Sequence, residues 1–259
     1  MSWRLTDLEF VSAWADLKED SLPYPFIFTS RTPLWNDYLR EQQEVRQRLR
    51  SELDESKWDV LRMLSSCDIR LEVAGWDARD PENPQGCVRL LAARRGGQAV
   101  LVTQLPGETV RHSGGYVFTE CEAVALADAV VDALPKSDPG GRAQVVLAGL
   151  DDEDDTDYSY GRSEIFDSFE DEAGHRAKAF LDEPVSMIGL INVIQGHSRF
   201  GPRGITRHQL AWRDLVDDGR YVIDDQNPPV AIGVDAKRMT TVINTRIAEV
   251  VRAIKDERA

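Results

Sequence analysis

The sequence predicts an α+β protein in which one unit of helices and hairpin strands occurs twice. The stretches ARRGGQAVL (93–101) and LVDDGRYVI (215–223) both place a glycine turn between runs of apolar residues. Such turns favour β-hairpins, because glycine enters positive-φ positions without a clash of Cβ. Both halves follow the order helix, strand, loop, strand, glycine turn, strand, strand, helix. We therefore expect an internal repeat of approximately 45–134 and 164–254 within a single domain of residues 1–259.

The first part of the chain is predicted to be mainly helical. A short strand at Trp3–Leu5 precedes a helix with a capping box of Thr6 and Glu9, and the motif SLPYP ends that helix. A charged helix follows over 37–53. The next helix has an apolar face that consists of Trp58, Leu61 and Leu64.

From residue 68 the pattern changes to that of strands. The predicted strands are DIRLEVAGW, GCVRLLAARRGGQAVLVTQ and GETVRH. The first two are separated by DARDPENPQ, whose polar residues and two prolines are typical of an exposed hairpin connection. This region should therefore supply the antiparallel strands of the first half.

Each half is predicted to end in a helix. In the first half, the helix begins at the capping pair Thr119 and Glu122 and ends at Pro135. The second half repeats the strand pattern with VSMIGLINVIQ, and its final helix has Asp235 as the N-cap. The apolar stripe of this last helix is Met239, Ile243, Ile247, Val250 and Ile254.

The two halves meet at the acidic tract DDEDDTD (151–157), within a predicted loop near 148–161. Concentrated charge of one sign opposes local packing, so the tract is expected to be solvated. The ligand spacing and the glycine of a calcium loop are absent, so a solvated loop is favoured over a metal site. We expect deletion of the tract to change the melting temperature by only a few degrees.

The composition excludes several classes of function. A net charge of −14 opposes nonspecific binding to nucleic acid and to anionic membranes. The three cysteines, Cys67, Cys87 and Cys121, lack the CxxC spacing of a metal site or a disulfide framework. The sequence has neither a signal peptide nor an apolar run long enough to span a membrane, so we expect a cytoplasmic protein without membrane insertion.

No catalytic motif is present, and we predict no catalytic residue, no metal and no cofactor. The GxSxG elbow, the Walker loop, the HExxH pair and the dinucleotide-binding GxGxxG are all absent. The alternative is a small-molecule enzyme with a pocket between the two halves. For that alternative, Asp214 and His208 would share one face of a strand, because they are an even number of residues apart.

Three parts of the chain resemble the EspG family. WRLTDLEFVSAWADLKEDSLPYP resembles the opening of the family, and CVRLLAARRGGQAVLV followed by ADAVVDALP resembles its middle section. DLVDDGRYVIDD before a terminal amphipathic helix resembles a strand turn near the family's C-terminus. The family consists of cytosolic chaperones associated with ESX, or type VII, secretion in mycobacteria and related actinobacteria.

The resemblance implies a pseudo-two-fold, mainly antiparallel central β-sheet with two helical groups. It also implies a function without catalysis, in which the chaperone binds the hydrophobic tip of the PPE helical hairpin of a PE–PPE heterodimer. The chaperone keeps this substrate, or a related helical type VII substrate, soluble and directs it to the cognate ESX system. A homodimer is left open.

The resemblance also implies where the client binds. In the family, clients contact the sheet, the C-terminal helix group and a loop between early strands, which correspond here to 76–85 and the second half. Tryptophan, other aromatic residues and arginine concentrate binding energy at interfaces. The candidate client-binding residues are therefore Trp76, Arg79, Phe200, Arg203 and Arg238. For Phe200 the alternative is a loop anchor buried in its own domain.

Overall fold

The computed structural model describes residues 1–17, 21–147 and 164–258. The acidic tract 151–157 lies outside the described residues, as does the rest of the predicted loop near 148–161. The helices are α1 (Asp7–Leu17), α2 (Trp35–Glu52), α3 (Glu55–Ser65), α4 (Leu126–Ala133), α5 (Glu164–Leu181) and α6 (Ala236–Arg258).

Within this described part, one ten-stranded sheet runs through both halves of the chain. Its spatial order is β1-β5-β4-β3-β2-β7-β8-β9-β10-β6, and all the pairs of neighbouring strands are antiparallel. The strands are β1 (Ser2–Leu5), β2 (Ile69–Asp77), β3 (Val88–Arg95), β4 (Gln98–Pro106), β5 (Ser113–Glu122), β6 (Val145–Val146), β7 (Val185–Gln195), β8 (Arg207–Leu215), β9 (Arg220–Asp224) and β10 (Val230–Gly233).

The order of strands repeats about the centre of the sheet. Strands β2 to β5 form one antiparallel series and β7 to β10 form the other, and β2 pairs with β7 between them. Each series carries a short strand on its outer edge, β1 beside β5 and β6 beside β10. The predicted α+β class with a mainly antiparallel central sheet is confirmed. Because β1 and β6 occupy equivalent edges, we propose repeat boundaries wider than 45–134 and 164–254.

The helices pack on the two faces of the sheet in two separate groups. On one face, α4 and α6 contact each other and cover the middle strands, where Trp212, Ile243 and Leu71 are buried in the largest hydrophobic cluster. On the other face, α1, α2 and α3 cover the β1 side of the sheet. Helix α5 packs on β9 and β10 through Ala177 and Phe180.

Local capping signals are confirmed at two of the predicted helix starts. The Thr6 amide donates to Glu9 Oε2 at 2.9 Å, and the Glu9 amide donates to Thr6 Oγ1 at 3.2 Å, which is the reciprocal pattern of a capping box. At α6, the Arg238 amide donates to Asp235 Oδ1 at 2.7 Å. The apolar stripe of α6 faces the core, with Met239, Ile243, Ile247 and Val250 buried.

The prediction for the end of the first half is wrong at two points. The stretch GETVRH (107–112) is a loop, and strand β5 follows it. Thr119 and Glu122 belong to β5 and do not start a helix, since α4 begins only after a 3₁₀ turn at Ala123–Ala125. Thr119 pairs with Ser2 on one side and with Leu101 on the other. Pairing on both sides therefore outweighs the local capping signal.

Two glycines in the central strands make room for one tryptophan. Gly75 and Gly189 pair with each other, and Trp212 pairs with Gly189 on the next strand. A Cβ at Gly75 would lie 2.6 Å from the Trp212 ring, and a Cβ at Gly189 would lie 2.2 Å from it. The buried indole therefore lies flat over two positions that have no side chain.

We predict that Gly189→Ala destabilises the fold by about 1–3 kcal/mol, because the added methyl group overpacks a rigid ring. The Gly189 Cβ would also lie 2.5 Å from the Ala74 carbonyl oxygen, which limits relaxation. Urea unfolding measures the effect. Gly97→Ala is the matched control, since nothing lies within 4 Å of its Cβ. Equal stability of the two variants would contradict this account of the packing.

Candidate functional site

On the central strands, part of one face of the sheet is not covered by the described helices. On this face α3 packs near β3, and α5 packs beyond β8 on β9 and β10. Alternate side chains of β2, β7 and β8 lie between these helices, and except for Ile194 and Leu215, which are buried, they are partly or largely exposed. We call these residues the open face: Arg70, Glu72, Ala74, Trp76, Ile188, Leu190, Asn192, Gln209, Ala211 and Arg213.

One half of the open face is apolar. Trp76 pairs with Ile188 across β2 and β7, and its exposed fraction is 36%. In the next row, Ala74, Leu190 and Ala211 are neighbours on three successive strands. Side chains in such rows have Cβ atoms about 5 Å apart, so they form a continuous apolar surface.

The other half of the open face is polar, and its groups bind one another. Arg70 Nε lies 2.8 Å from Glu72 Oε1, and Gln209 Nε2 donates to Asn192 Oδ1 at 3.0 Å. Glu72, Asn192 and Gln209 occupy one row across three strands. The open face is thus amphipathic along the strands, as a protein-binding surface with an apolar centre and a polar rim would be.

Arg213 borders the apolar half on the side of α5. Its guanidinium lies 5.6 Å from the centre of the Phe180 ring, and Nη2 donates to the Leu181 carbonyl at 2.7 Å. Burial lowers the pKa of Arg213. Its buried Nε has no hydrogen-bond partner among the described residues. A positively charged donor therefore stands beside the apolar surface.

Trp76 and Arg79 lie at the end of the open face where β2 finishes. Arg79 bonds to Asp77 Oδ1 through its amide at 2.9 Å and through Nε at 3.4 Å. These bonds lower the pKa of Asp77, and the amide bond is the larger cause. Arg238 lies in the first turn of α6, on the opposite face of the sheet, where Nη1 donates to the Gly233 carbonyl at 3.2 Å.

Phe200 and Arg203 lie at the other end of the sheet. They belong to the loop 196–206 after β7, and β7 is antiparallel to β2. A strand of nine residues spans about 30 Å, so this loop and the Trp76 end are well separated. The five predicted residues therefore do not form one surface. Whether each of them contacts a client stays a prediction.

Glu257 in the last turn of α6 holds the loop 196–206. Its carboxylate accepts hydrogen bonds from Gln195 Nε2 at 2.9 Å, Ser198 Oγ at 2.8 Å and the Arg199 amide at 3.0 Å. The bond from Gln195 is the main cause of the lowered pKa of Glu257. The loop presents Phe200 with an exposed fraction of 70%. The alternative of Phe200 as a buried loop anchor is therefore wrong.

Sequence reasoning missed Ile188, Leu190 and Arg213. The stretch VSMIGLINVIQ is apolar on both faces of β7, because one face meets the α6 core and the other lines the open face. Such a run does not show which residues are solvent-facing. The signal that was present is the even spacing of Trp76, Ala74 and Glu72, which places them together on the face opposite Val73.

Asp214 and His208, the residues of the enzyme alternative, lie next to charged side chains of the folded chain. Asp214 and Arg220 form a two-pronged ion pair with both N–O distances at 2.7 Å, and each side chain is only 7% exposed. Arg220 Nη2 also donates to the Pro135 carbonyl at 2.9 Å. His208 Nε2 lies 3.4 Å from Glu249 Oε2. Asp214 is thus a structural partner of Arg220 and not an available base.

The described ranges contain no cluster of three metal-ligating side chains. Cys67, Cys87 and Cys121 all lie in the described ranges, and none of them forms a disulfide. Among the helices described, none has both the length and the apolar character needed to cross a membrane.

Comparison with known proteins decides the family. The model of the EspG family matches residues 6–245. The chain belongs to the EspG family. A similar solved structure is that of EspG5, the type VII secretion system chaperone of Mycobacterium tuberculosis, in complex with a PE25–PPE41 dimer. Identity to EspG5 is 12% and the TM-score is 0.55, with 95% of this chain and 96% of that chain covered. No curated protein matches.

The TM-score and the coverage of both chains show that this chain shares its fold with EspG5. Membership in the EspG family confirms the predicted class, a type VII secretion chaperone, and disfavours the enzyme alternative.

We predict that Arg220→Met in this EspG-family chain costs about 3–5 kcal/mol of stability, because it leaves the Asp214 carboxylate buried and unpaired. Adding Asp214→Leu should restore most of the loss. Denaturant unfolding measures both variants. The control is Arg40→Met, which removes an exposed ion pair with Asp37 and should cost under about 1 kcal/mol. A small loss for Arg220→Met would contradict the structural role.

Proposed function

We propose that this EspG-family chaperone acts in the cytoplasm and binds the tip of a PE–PPE-like helical pair, or of a related helical type VII substrate, on the open face. The observation that carries the proposal is the apolar row of Ala74, Leu190 and Ala211, which lies uncovered between α3 and α5 in the described part of the chain. The solved complex of EspG5 with the PE25–PPE41 dimer supports the choice of client.

The end of a helical pair would pack against the apolar half of the open face. Two helices that end in exposed apolar residues would self-associate, because contiguous apolar surface is costly in water. The apolar half of the open face would cover such an end, with Trp76 as its aromatic anchor. Arg79 and Arg213 lie at the border, where arginine would bond to carbonyl groups that end the client helices. The chaperone needs no cofactor for this task.

The proposed contact covers a smaller area of the molecule than the five predicted residues do. It includes Trp76 and Arg79 and adds Ile188, Leu190 and Arg213. Phe200 and Arg203 follow the far end of β7, about 23 Å along the strand from the Trp76–Ile188 pair and about 17 Å from Leu190, and Arg238 lies on the opposite face. A single helical tip seated on the apolar half would not contact those three residues.

We predict that Trp76→Ala weakens binding of a PE–PPE-like helical pair by roughly 30-fold, as expected for an aromatic hot spot of about 2 kcal/mol. Leu190→Asp should abolish co-purification, because it buries a charge in the contact. Affinity is measured by titration, and far-UV circular dichroism verifies the fold of each variant.

Trp35→Ala is the matched control, since Trp35 is 68% exposed on α2, away from the open face. It should bind the client as the natural chain does. The double variant Phe200→Ala with Arg203→Ala examines the loop 196–206. If this double variant loses the client while Trp76→Ala keeps it, the open face is not the client site.

A further inference from the structure

The loop 196–206 between β7 and β8 presents an aromatic ring to the solvent. Phe200 is 70% exposed, and the Arg199 guanidinium lies 5.8 Å from the centre of its ring. A Cβ at Gly204 would lie 2.7 Å from the Phe200 Cβ, so the residue that follows Arg203 touches Phe200. Single exposed apolar residues are common on protein surfaces. The meaning of this ring therefore depends on the rigidity and the charge of the loop around it.

The loop is held in one conformation by bonds at its base and at its tip. At the base, the Gln195 amide donates to the Thr206 carbonyl at 3.0 Å, and the Thr206 amide donates to Gln195 Oε1 at 3.1 Å. At the tip, the Phe200 amide donates to Ser198 Oγ at 3.1 Å, and that hydroxyl donates to Glu257 Oε1 at 2.8 Å. Much of the conformational entropy of the loop is therefore lost on folding, which lowers the cost of binding a partner.

The charge of the loop is opposite to that of the chain. Residues 196–207 contain three arginines, one histidine and neither aspartate nor glutamate, although the chain has 45 acidic and 31 basic residues. The Arg199 amide and Nη1 both donate to Glu257. Arg203 and Arg207 are exposed, and neither forms an ion pair with a described residue. The loop thus carries two unpaired guanidinium groups together with the Phe200 ring.

Carboxylates on the segments that surround the loop already have partners. Glu257 accepts the three hydrogen bonds described above. Asp68 accepts from a backbone amide at 3.0 Å and lies 3.6 Å from an arginine at the end of α6. Asp225 also accepts from a backbone amide, at 3.2 Å, and lies 3.6 Å from a second arginine of α6. Glu72 on the open face is paired with Arg70.

The last turn of α6 adds one further acid. Asp256 is exposed and has no ion pair with a described residue, and the exposed Lys255 beside it in the sequence offsets its charge. Residue 259 lies outside the described residues. Within the described part of the chain, no carboxylate is at ion-pair distance from Arg203 or Arg207. Both guanidinium groups are therefore available to a carboxylate from another molecule.

We propose that the loop 196–206 binds an acidic protein segment that also carries an apolar side chain. Phe200 would pack on the apolar side chain, while Arg203 and Arg207 bond to carboxylates. Aromatic and arginine residues provide much of the binding energy at interfaces, and arginine binds a carboxylate through two parallel bonds. Nucleic acid and anionic membranes fit less well, because the rest of a chain with a net charge of −14 repels an extended polyanion.

This inference does not rest on the proposed client site. The loop follows the end of β7 that is far from the Trp76–Ile188 pair. A partner on the loop and a helical tip on the apolar half would thus occupy different ends of the same strands. The two contacts can be tested separately on the full chain.

The test uses three fluorescein-labelled peptides, GEELLEEG, GKKLLKKG and GEESSEEG, and binding to the full chain is followed by fluorescence anisotropy. We expect saturable binding of GEELLEEG with a Kd below about 1 mM. The lysine peptide reverses the charge and the serine peptide lacks the apolar side chains, so each should bind at least about tenfold more weakly.

Variants assign the binding to the loop. Phe200→Ala should weaken GEELLEEG about tenfold or more, because it removes the apolar contact. The double variant Arg203→Glu with Arg207→Glu should abolish binding of GEELLEEG. The matched control is Arg40→Glu with Arg111→Glu, which changes the net charge equally at exposed arginines elsewhere and should keep the binding. Far-UV circular dichroism verifies the fold of each variant.

Three results would overturn the proposal. They are the absence of saturable binding of GEELLEEG, equal affinity for the three peptides, and equal affinity of the Arg203→Glu with Arg207→Glu variant and its matched control. Double-stranded DNA and phosphatidylglycerol vesicles are titrated in parallel. If either binds more tightly than GEELLEEG and loses its binding in the Arg203→Glu with Arg207→Glu variant, the loop is a nucleic-acid or lipid surface and the proposal is wrong.

Trp76→Ala separates this proposal from the client site. It should leave binding of GEELLEEG unchanged, and a loss would place the peptide on the open face and contradict the proposal. Failure of the client experiment with Trp76→Ala leaves the peptide outcomes unaffected, so the two proposals fail separately.

Discussion

Nine residue pairs join β2 to β7, from Ile69 with Gln195 to Asp77 with Met187, and every other part of the architecture follows from this pairing. It unites two four-stranded series into one sheet, so that α4 and α6 can share a single core. It also sets the level at which Gly75 and Gly189 meet under Trp212. Because antiparallel register and side-chain direction are linked, a slip of one residue would turn the open face into the core.

The two faces of the β2–β7 pair differ in how far their side chains are buried. On the α6 side, the strands place Leu71, Val73 and Ile191 in a packed core, where nearly every position is buried. On the other side, the same strands carry half-buried residues such as Ile188 and Leu190 next to polar partners. The fold can leave this side uncovered because α4 and α6 already bury the opposite side. Under the proposed function, stability and recognition therefore depend on different sides of the same strands.

Much of the fold could be predicted from the sequence because the relevant signals are local. The glycine turns, the capping box at Thr6 and the apolar stripe of α6 all depend on residues a few positions apart. The error at Thr119 has the opposite cause. Its partners, Ser2 and Leu101, come from distant segments of the chain. No local pattern in 119–122 indicates that β5 is paired on both sides.

The candidate site could be predicted only in part for the same reason. Trp76 and Arg79 were recognisable as residue types that interfaces favour. Their grouping with Leu190 and Arg213 depends on the register of β2 with β7 and of β7 with β8, which is long-range information. The exposure of Phe200 also depends on a long-range contact, because Glu257 of α6 holds the loop that carries it.

The antiparallel pairing of the two halves affects how their loops can change independently during evolution. Corresponding loops, 78–87 after β2 and 196–206 after β7, emerge at opposite poles of the molecule. Each pole is anchored by its own contacts: Asp77 holds Arg79 at one, and Glu257 holds Ser198 and Arg199 at the other. An insertion or substitution at one pole therefore need not disturb its counterpart. If the proposed repeat arose by duplication, one pole could keep an inherited partner while the other acquired a new one.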